Sequence, residues 1–248
     1  MESDEQKRLD NKKRTLGVGE LELPRKLFHS SIGPIAIGIY ISQVSRTIVL
    51  RLLTILLLVI LVIDLFRLRS TVVGRGRFAS LYESVVGRLM RESERQKLNS
   101  TIWYLLGAVI SVASFKRDIA ITSICILAFA DTSASTVGRL LGRYTYTLPS
   151  PPFGQKKSLA GFTAAFLTGA FTSWLIWGST FGQATIAEAG KLSTDTLSWT
   201  TESKLRFPLL MIVVGIISAV TESLDVHGLD DNLTIPVISG ILMTLLLK

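Results

Sequence analysis

Residues 48–66 read IVLRLLTILLLVILVIDLF, a run in which Arg51 and Asp64, one near each end, are the only charged side chains. A helix needs about 20 apolar residues to cross the hydrocarbon core of a bilayer, so this run predicts a membrane-spanning helix. The whole chain agrees, because 48% of its 248 residues are hydrophobic, only 19% are charged and the mean hydropathy is +0.44. The composition predicts an integral membrane protein and excludes an ordinary soluble domain.

Six further apolar runs have the same character, although several are shorter. None shows the period-2 alternation of a membrane β-barrel, and a lone strand cannot satisfy its backbone hydrogen bonds in lipid. We therefore predict an all-α fold, a polytopic transmembrane helical bundle of about seven spans. The predicted spans are residues 31–44, 48–66, 101–115, 119–138, 158–181, 207–221 and 232–247.

Basic residues are unevenly distributed among the predicted loops. The chain has 27 Lys and Arg against 19 Asp and Glu, a net charge of +8. Nineteen of the basic residues fall in the N-terminal tail and in loops 67–97 and 139–157, against eight on the other side. Cytoplasmic loops carry such an excess, so the N-terminus is predicted to be cytoplasmic. Membrane topology thus accounts for the basic charge, and no nucleic-acid partner is expected.

The segments outside the spans lead to three smaller predictions. Residues 1–21 are polar and predicted to be a disordered cytoplasmic tail, which leaves 22–248 as one integral membrane domain. Residues 78–89 place apolar side chains at helical spacing among arginines. They are either an interfacial helix that binds anionic lipid or a charged loop that packs on the bundle. The single cysteine, Cys125, excludes an intramolecular disulfide.

Asp131 interrupts the apolar run of the fourth predicted span. An aspartate at membrane depth is costly unless it faces a cavity, a partner or a metal, so Asp131 is a candidate functional residue. The alternatives are a helix-end aspartate that reaches water and, for the following Gly138 and Gly142, a face for close helix packing. Asp118, at the other end of this span beside Lys116 and Arg117, is expected to face the lumen and to tolerate substitution.

Two basic motifs stand at predicted span ends. Lys156 and Lys157 precede the fifth span, where a helix N-terminus also favours a phosphate. The segment PRKLFH, residues 24–29, stands at the mouth of the first span and contributes Arg25, Lys26 and His29. Each motif is also compatible with a simple membrane anchor.

Residues 222–236, which join the last two spans, contain four carboxylates, one histidine and no Lys or Arg. A membrane anchor does not explain that composition, whereas clustered carboxylates suit a divalent cation such as Mg²⁺. The predicted topology places this loop, both basic motifs and Asp131 on the cytoplasmic face. Together they indicate a site for a metal and a nucleoside triphosphate at the membrane surface. The chain contains neither a P-loop GxxxxGK[ST] nor a protein-kinase GxGxxG motif.

The four motifs together resemble those of the CTP-dependent lipid kinases, a family that includes dolichol, phytol and fungal diacylglycerol kinases. The likeness is greatest to the fungal diacylglycerol kinases of the endoplasmic reticulum and runs from about Glu22 to the C-terminus. It rests on PRKxxH at 24–29, DxxASxxGxxxG at 131–142, KSxxG at 157–161 and the loop 222–236. The resemblance implies an endoplasmic-reticulum or nuclear-envelope enzyme that phosphorylates diacylglycerol with CTP and yields phosphatidic acid.

The resemblance and the chemistry of the motifs also give expected roles for individual residues. Asp131, Arg25, Lys26 and His29 are expected to be catalytic. The expected nucleotide-binding residues are Gly138, Arg139, Gly142, Lys156, Lys157, Ser158 and Gly161. The expected ligands of Mg²⁺, or of another divalent cation such as Ca²⁺, are Asp131, Glu222, Asp230 and Asp231. CTP is the expected co-substrate and diacylglycerol the expected acceptor.

Two other functions remain open from the sequence. The first is a CTP-dependent kinase for another lipid alcohol, such as dolichol or phytol. The second is a small transporter, although a transporter tends to carry its polar residues at the midplane and to contain an inverted repeat. The ionisable residues here lie towards one predicted face, and no repeat is visible.

Overall fold

The computed structural model of the chain describes residues 23–72, 97–155, 157–185, 197–200, 203, 205–226 and 228–247. The predicted tail 1–21, the segment 78–89 and Lys156 lie outside these residues. Within them the structure is helical, and its only β-pairing consists of two isolated bridges, Thr147 with Ser158 and Phe153 with Leu224. The prediction of an all-α fold is confirmed for this part of the chain.

Each predicted span falls on a helix. In chain order they are α1 (Leu23–Ile41), α2 (Arg46–Val72), α3 (Ser100–Ser114), α4 (Arg117–Cys125), α5 (Asp131–Leu141), α6 (Leu159–Ser173), α7 (Phe207–Ser223) and α8 (Asp231–Leu246). A π-helical segment, Ile126–Ala130, joins α4 to α5 in one continuous rod, and a second, Trp174–Gly178, extends α6. A 3₁₀ turn, Gly142–Tyr144, ends the rod.

Among the described residues, three stretches are long and apolar enough to cross a membrane: Arg46–Arg69, Arg117–Tyr144 and Leu159–Gly178. Helices α3, α7 and α8 are apolar but shorter. The membrane character is therefore supported by length and composition, while the number of seven spans stays a prediction. The rod formed by α4 and α5 is central, because the residues around its π segment, from Cys125 to Ala128, are fully buried.

Helix α2 lies at the edge of the bundle. Of the helices that the structure describes, only α3 packs extensively against it. Most of its large apolar side chains are exposed, among them Leu52, Leu58 and Phe66. In water such a surface would be unfavourable, but lipid tails are as apolar as leucine, so the exposed face matches a helix in a bilayer.

The aspartate that interrupts α2 forms a buried ion pair. Asp64 accepts a 2.7 Å hydrogen bond from Arg67 Nε, and both side chains are almost fully buried. Asp64 also accepts from the backbone N–H of Asn99, and Arg67 donates to the carbonyl oxygen of Lys97. The pair therefore ties the end of α2 to the start of α3 across the segment 73–96.

The expectation for Asp118 is wrong. The side chain is fully buried and accepts hydrogen bonds from the Trp177 indole at 3.1 Å and from the hydroxyl and backbone N–H of Ser198 at 2.6 and 2.7 Å. Residues 197–199 cover the start of α4 and supply these donors. Because a buried carboxylate needs such donors, Asp118 joins α4, the second π segment and the covering segment.

Candidate active site

Helix α1 carries a cationic cluster on one face, formed by Arg25, Lys26 and His29. Spacings of three and four residues bring side chains together on a helix, so the three share a surface that turns into the bundle. All are more than nine-tenths buried. Lys26 Nζ donates a long, 3.5 Å hydrogen bond to Thr136 Oγ1 of α5. The packing of α1 against the rod thus joins the PRKxxH motif to the segment that begins at Asp131.

Asp131 is the first residue after the first π segment. A π-helical stretch changes the rotational register of a helix and is frequent at functional sites. Asp131 is half-buried, and no hydrogen bond or ion pair from any described residue ends on its carboxylate. It nevertheless acts electrostatically on Tyr104, Lys157 and Glu222. Such a carboxylate has lost part of its hydration without gaining a donor, which favours a cation or another polar ligand there.

Tyr104 of α3 belongs to this region and was not predicted. Its ring packs edge-on against His29, with the ring centroids 5.3 Å apart. Its hydroxyl is buried and has no hydrogen-bond partner among the described residues. Buried tyrosine hydroxyls usually find a partner, so this one also indicates space for a polar ligand. The only sequence signal was a lone tyrosine near the end of an apolar run.

Lys157 and Glu222 bind each other. Lys157 Nζ donates to Glu222 Oε1 at 2.7 Å and to the Glu222 carbonyl oxygen at 2.8 Å. Glu222 is almost fully buried, whereas the Lys157 side chain is 29% exposed. An ammonium group has three donors, so this arrangement leaves one N–H of Lys157 for a further acceptor.

The loop between α5 and α6 is held against the end of α7. The backbone N–H of Gly154 donates to the Ser223 carbonyl oxygen, and that of Asp225 to the Pro152 carbonyl oxygen. Together with the ion pair, these bonds attach the KSxxG motif to the start of the acidic loop. Two motifs that are 65 residues apart in sequence therefore form one surface.

The three glycines of the motifs lie where α5 meets α6. A Cβ on Gly142 would come within 2.8 Å of Ser158 Oγ, and one on Gly161 within 3.0 Å of the Ala134 carbonyl oxygen. Gly138 faces the same serine at 3.4 Å. Ser158 itself is the N-cap of α6 and accepts from the Gly161 N–H. The glycines thus allow α5 and α6 to pack closely, which is the alternative to nucleotide binding that the sequence left open.

The remaining carboxylates have different surroundings. Asp230 is the N-cap of α8 and accepts from the backbone N–H of Asn232, whereas Asp231 is exposed. Arg139 is exposed near the end of α5. In the part of the chain that the structure describes, no three Asp, Glu, His or Cys side chains meet in a metal-binding group. The four predicted metal ligands therefore do not form one cluster there.

Charge nevertheless links the motifs. Burial alone lowers the pKa of the Lys157 ammonium, but the charge and hydrogen bond of Glu222, with the charges of Asp231 and Asp131, outweigh it and raise the pKa above its usual value. Lys157 is therefore held in its charged form. Contacts and charge together join all four predicted motifs into one region. It is formed by the first turns of α1, α6 and α8, by α5 and by the last turn of α7.

Comparison with known proteins gives clear relatives. The chain is 35% identical over 228 residues to CTP-dependent diacylglycerol kinase 1 of Saccharomyces cerevisiae, covering 92% of this chain and 74% of the yeast protein. It is also 35% identical over 226 residues to the protein of that name from Schizosaccharomyces pombe, covering 91% of this chain and 94% of that protein. A probable chloroplastic phytol kinase 3 of Glycine max is 29% identical over 75% of this chain and 52% of its own length. No family profile and no solved structure matches.

Proposed function

Because the chain belongs to the family of the CTP-dependent diacylglycerol kinases, we propose that it transfers the γ-phosphate of CTP to the hydroxyl group of diacylglycerol. A bond forms between the acceptor oxygen and the γ-phosphorus, the bond from that phosphorus to the β,γ-bridging oxygen breaks, and CDP leaves. The hydroxyl proton passes to a base, and phosphatidic acid is the product. The observation that carries the proposal is the carboxylate of Asp131, which has no hydrogen-bond or ion-pair partner among the described residues and lies where the four motifs meet.

The donor chemistry of the region fits a Mg²⁺ ion. Mg²⁺ in phosphoryl-transfer sites is usually held by one or two carboxylates together with substrate phosphates and water, so a cluster of three protein ligands is not required. No described residue donates a hydrogen bond to the carboxylate oxygens of Asp131, and its charge and that of the exposed Asp231 act on the same pair, Lys157 and Glu222. We assign Asp131 as the main ligand, with Asp231 as a second carboxylate. When bound, Mg²⁺ neutralises charge on the transferring phosphate.

Positively charged side chains of the protein neutralise the rest of the phosphate charge. Phosphoryl transfer needs positioning and charge neutralisation more than covalent chemistry. Lys157 keeps two hydrogen bonds to Glu222 and offers its third donor to a phosphate oxygen. Arg25 and Lys26 supply positive charge from the opposite side of α5. Gly138, Gly142, Ser158 and Gly161 act by setting the packing of α5 on α6, which positions Asp131 relative to Lys157.

His29 and a carboxylate of this region are the candidate bases for the acceptor hydroxyl, and the His29 ring packs against Tyr104, on which the charge of Asp131 also acts. A base must come within hydrogen-bond distance of the proton that it removes. Loss of the rising limb of the pH–rate profile in His29→Gln would assign the base to His29. An unchanged limb in that variant would leave a carboxylate as the base.

We also propose that residues 22–248 form one kinase domain in the endoplasmic-reticulum or nuclear-envelope membrane, with the site at the cytoplasmic face. The charge distribution supports this orientation, because the basic loops lie on the side of the four motifs. The acceptor's tails remain in lipid while its hydroxyl reaches the water-soluble nucleotide. A role for anionic lipid stays a prediction, because residues 78–89 lie outside the described part of the chain.

The test is phosphate transfer by purified protein in detergent micelles. Labelled CTP and labelled ATP are each supplied with diacylglycerol, dolichol or phytol, with Mg²⁺ and with a chelator. We expect label in phosphatidic acid with CTP and Mg²⁺, and none after chelation. Label in phytyl or dolichyl phosphate instead would establish another lipid-alcohol kinase, the alternative favoured by the similarity to plant phytol kinases.

A further inference from the structure

A cavity of about 800 Å³ lies beside the candidate active site, between α1, α5 and α6. Its walls are largely apolar, and its volume falls in the range of about 300–1,000 Å³ that is usual for small-molecule sites. The kinase proposed here also needs a binding site for its lipid acceptor. Several features of this cavity distinguish it from a gap that bulk lipid merely fills.

Hydroxyl groups from all three helices line one part of the cavity. Ser30 Oγ of α1 donates to Thr132 Oγ1 of α5 at 2.9 Å, and Ser133 Oγ of α5 lies 2.8 Å from Thr168 Oγ1 of α6. Thr136, which accepts from Lys26, lines the same space. Such pairs join neighbouring helices in a membrane, and their oxygen atoms keep lone pairs that can accept a further hydrogen bond from the hydroxyl of an alcohol.

Both π-helical segments border this cavity. Phe129 comes from the first and Leu175 from the second. Pro34 of α1 also lines it and has no N–H group, so the Ser30 carbonyl oxygen lacks its normal helical donor. π-helical segments are frequent at functional sites, and irregular backbone at membrane depth is tolerated where it is buried in protein or lines a cavity.

We propose that this cavity is the acceptor site, in which the apolar walls hold the first part of the acyl chains of diacylglycerol and the serine and threonine side chains lie beside its glycerol group, where their oxygen atoms can accept from its hydroxyl. The proposal rests on the proposed kinase function. Thr132 and Ser133, which line the cavity, directly follow Asp131, so the cavity lies within about one helical turn of the proposed catalytic carboxylate. Lys26, bound to Thr136, marks the border between the lipid and the phosphate parts of the site.

Gly38 provides a direct steric test. It lines the cavity on α1, and a Cβ placed on it meets no atom within 4 Å. Gly38→Leu therefore adds side-chain volume at the cavity wall from a Cβ that meets no neighbour, and leucine is the better helix former. We expect the KM for diacylglycerol to rise about tenfold, with the KM for CTP unchanged. Ile35→Phe is the control, because Ile35 is 60% exposed on the same helix and does not line the cavity.

Thr168 tests the hydroxyl groups. Thr168→Val keeps the shape of the side chain but removes the group that pairs with Ser133, and we expect the KM for diacylglycerol to rise about threefold. Thr163→Val is the matched control. Both hydroxyls donate to the carbonyl four residues earlier in α6, but Thr163 is exposed and does not line the cavity. Equal effects of the two substitutions would contradict the proposal.

A binding measurement separates this proposal from the kinase function. A diacylglycerol with a photoreactive group near its ester is crosslinked to the purified protein without CTP, and the labelled peptides are identified. We expect label on α1, α5 and α6 that excess diacylglycerol removes, that excess phosphatidylcholine does not remove, and that Gly38→Leu reduces. Label mainly on α2, equal competition by phosphatidylcholine or full labelling of Gly38→Leu would overturn the acceptor site. Absence of kinase activity in the wild type, with the expected labelling intact, would instead refute the kinase function.

Discussion

The two ends of the rod formed by α4 and α5 each carry an aspartate, and their surroundings are opposite. Asp118 is fully buried and accepts hydrogen bonds from Trp177 and Ser198, whereas Asp131 is half-buried and receives none from the described residues. Composition and hydropathy do not distinguish them. The difference shows that an aspartate in an apolar helix serves structure when donors saturate it and is available to a ligand when they do not.

Asp131→Asn should give the largest effect. The amide nearly preserves the shape of the carboxylate but removes the charge, so the protein should fold while phosphate transfer falls about a hundredfold or more. The measurements are initial rates of labelled-CTP transfer, normalised to folded protein, and the thermal melting temperature in detergent. Retained activity in Asp131→Asn would show that the metal and phosphate site lies elsewhere.

Asp118→Asn should show the reverse pattern. An amide cannot accept from all the donors that surround Asp118, so we expect a loss of about 1–3 kcal/mol in stability. Activity per folded molecule should stay near that of the wild type. The readouts are the melting temperature and the specific activity of the folded fraction. A fall in specific activity without loss of stability would place Asp118, too, in the functional part of the molecule.

Lys157→Met tests whether the ion pair between Lys157 and Glu222 holds the candidate active site together. The substitution leaves Glu222 buried without its partner, and because Lys157 is partly exposed we expect a loss of only about 1–2 kcal/mol in stability. The double variant Lys157→Met with Glu222→Met should recover stability, since no unpaired buried charge remains. Its activity should stay low because the Lys157 ammonium, which donates a hydrogen bond to the phosphate in the proposed site, is missing. Recovery of both properties in the double variant would restrict the ion pair to a structural role.

Tyr104→Phe should have the smallest effect on folding. The hydroxyl has no partner among the described residues, so its removal should leave the melting temperature unchanged or slightly higher. If the hydroxyl contacts a bound substrate, activity should fall about threefold to tenfold, with the change seen in steady-state kinetics. Ile102→Val, a buried substitution on the same helix, controls for packing. Wild-type kinetics in Tyr104→Phe would exclude the tyrosine from the site.

The local properties of the chain were readable from the sequence. The length and apolarity of a run determine whether it can form a membrane helix, and each of the seven predicted runs falls on a helix. Residue types at short spacing identified Arg25, Lys26 and His29 as one group and supported the resemblance to the lipid kinases. The relatives confirm that family.

Tertiary structure decided which polar groups are satisfied, because their partners are distant in sequence. Trp177 and Ser198 reach Asp118 across 59 and 80 residues, and Lys157 reaches Glu222 across 65. Folding thus turned the expected surface residue Asp118 into a buried acceptor, and it paired an expected phosphate ligand with an expected metal ligand. It also brought Tyr104 and the cavity hydroxyls beside Asp131. A local sequence pattern cannot predict these contacts, because the packing of the helices determines which donors reach a buried carboxylate.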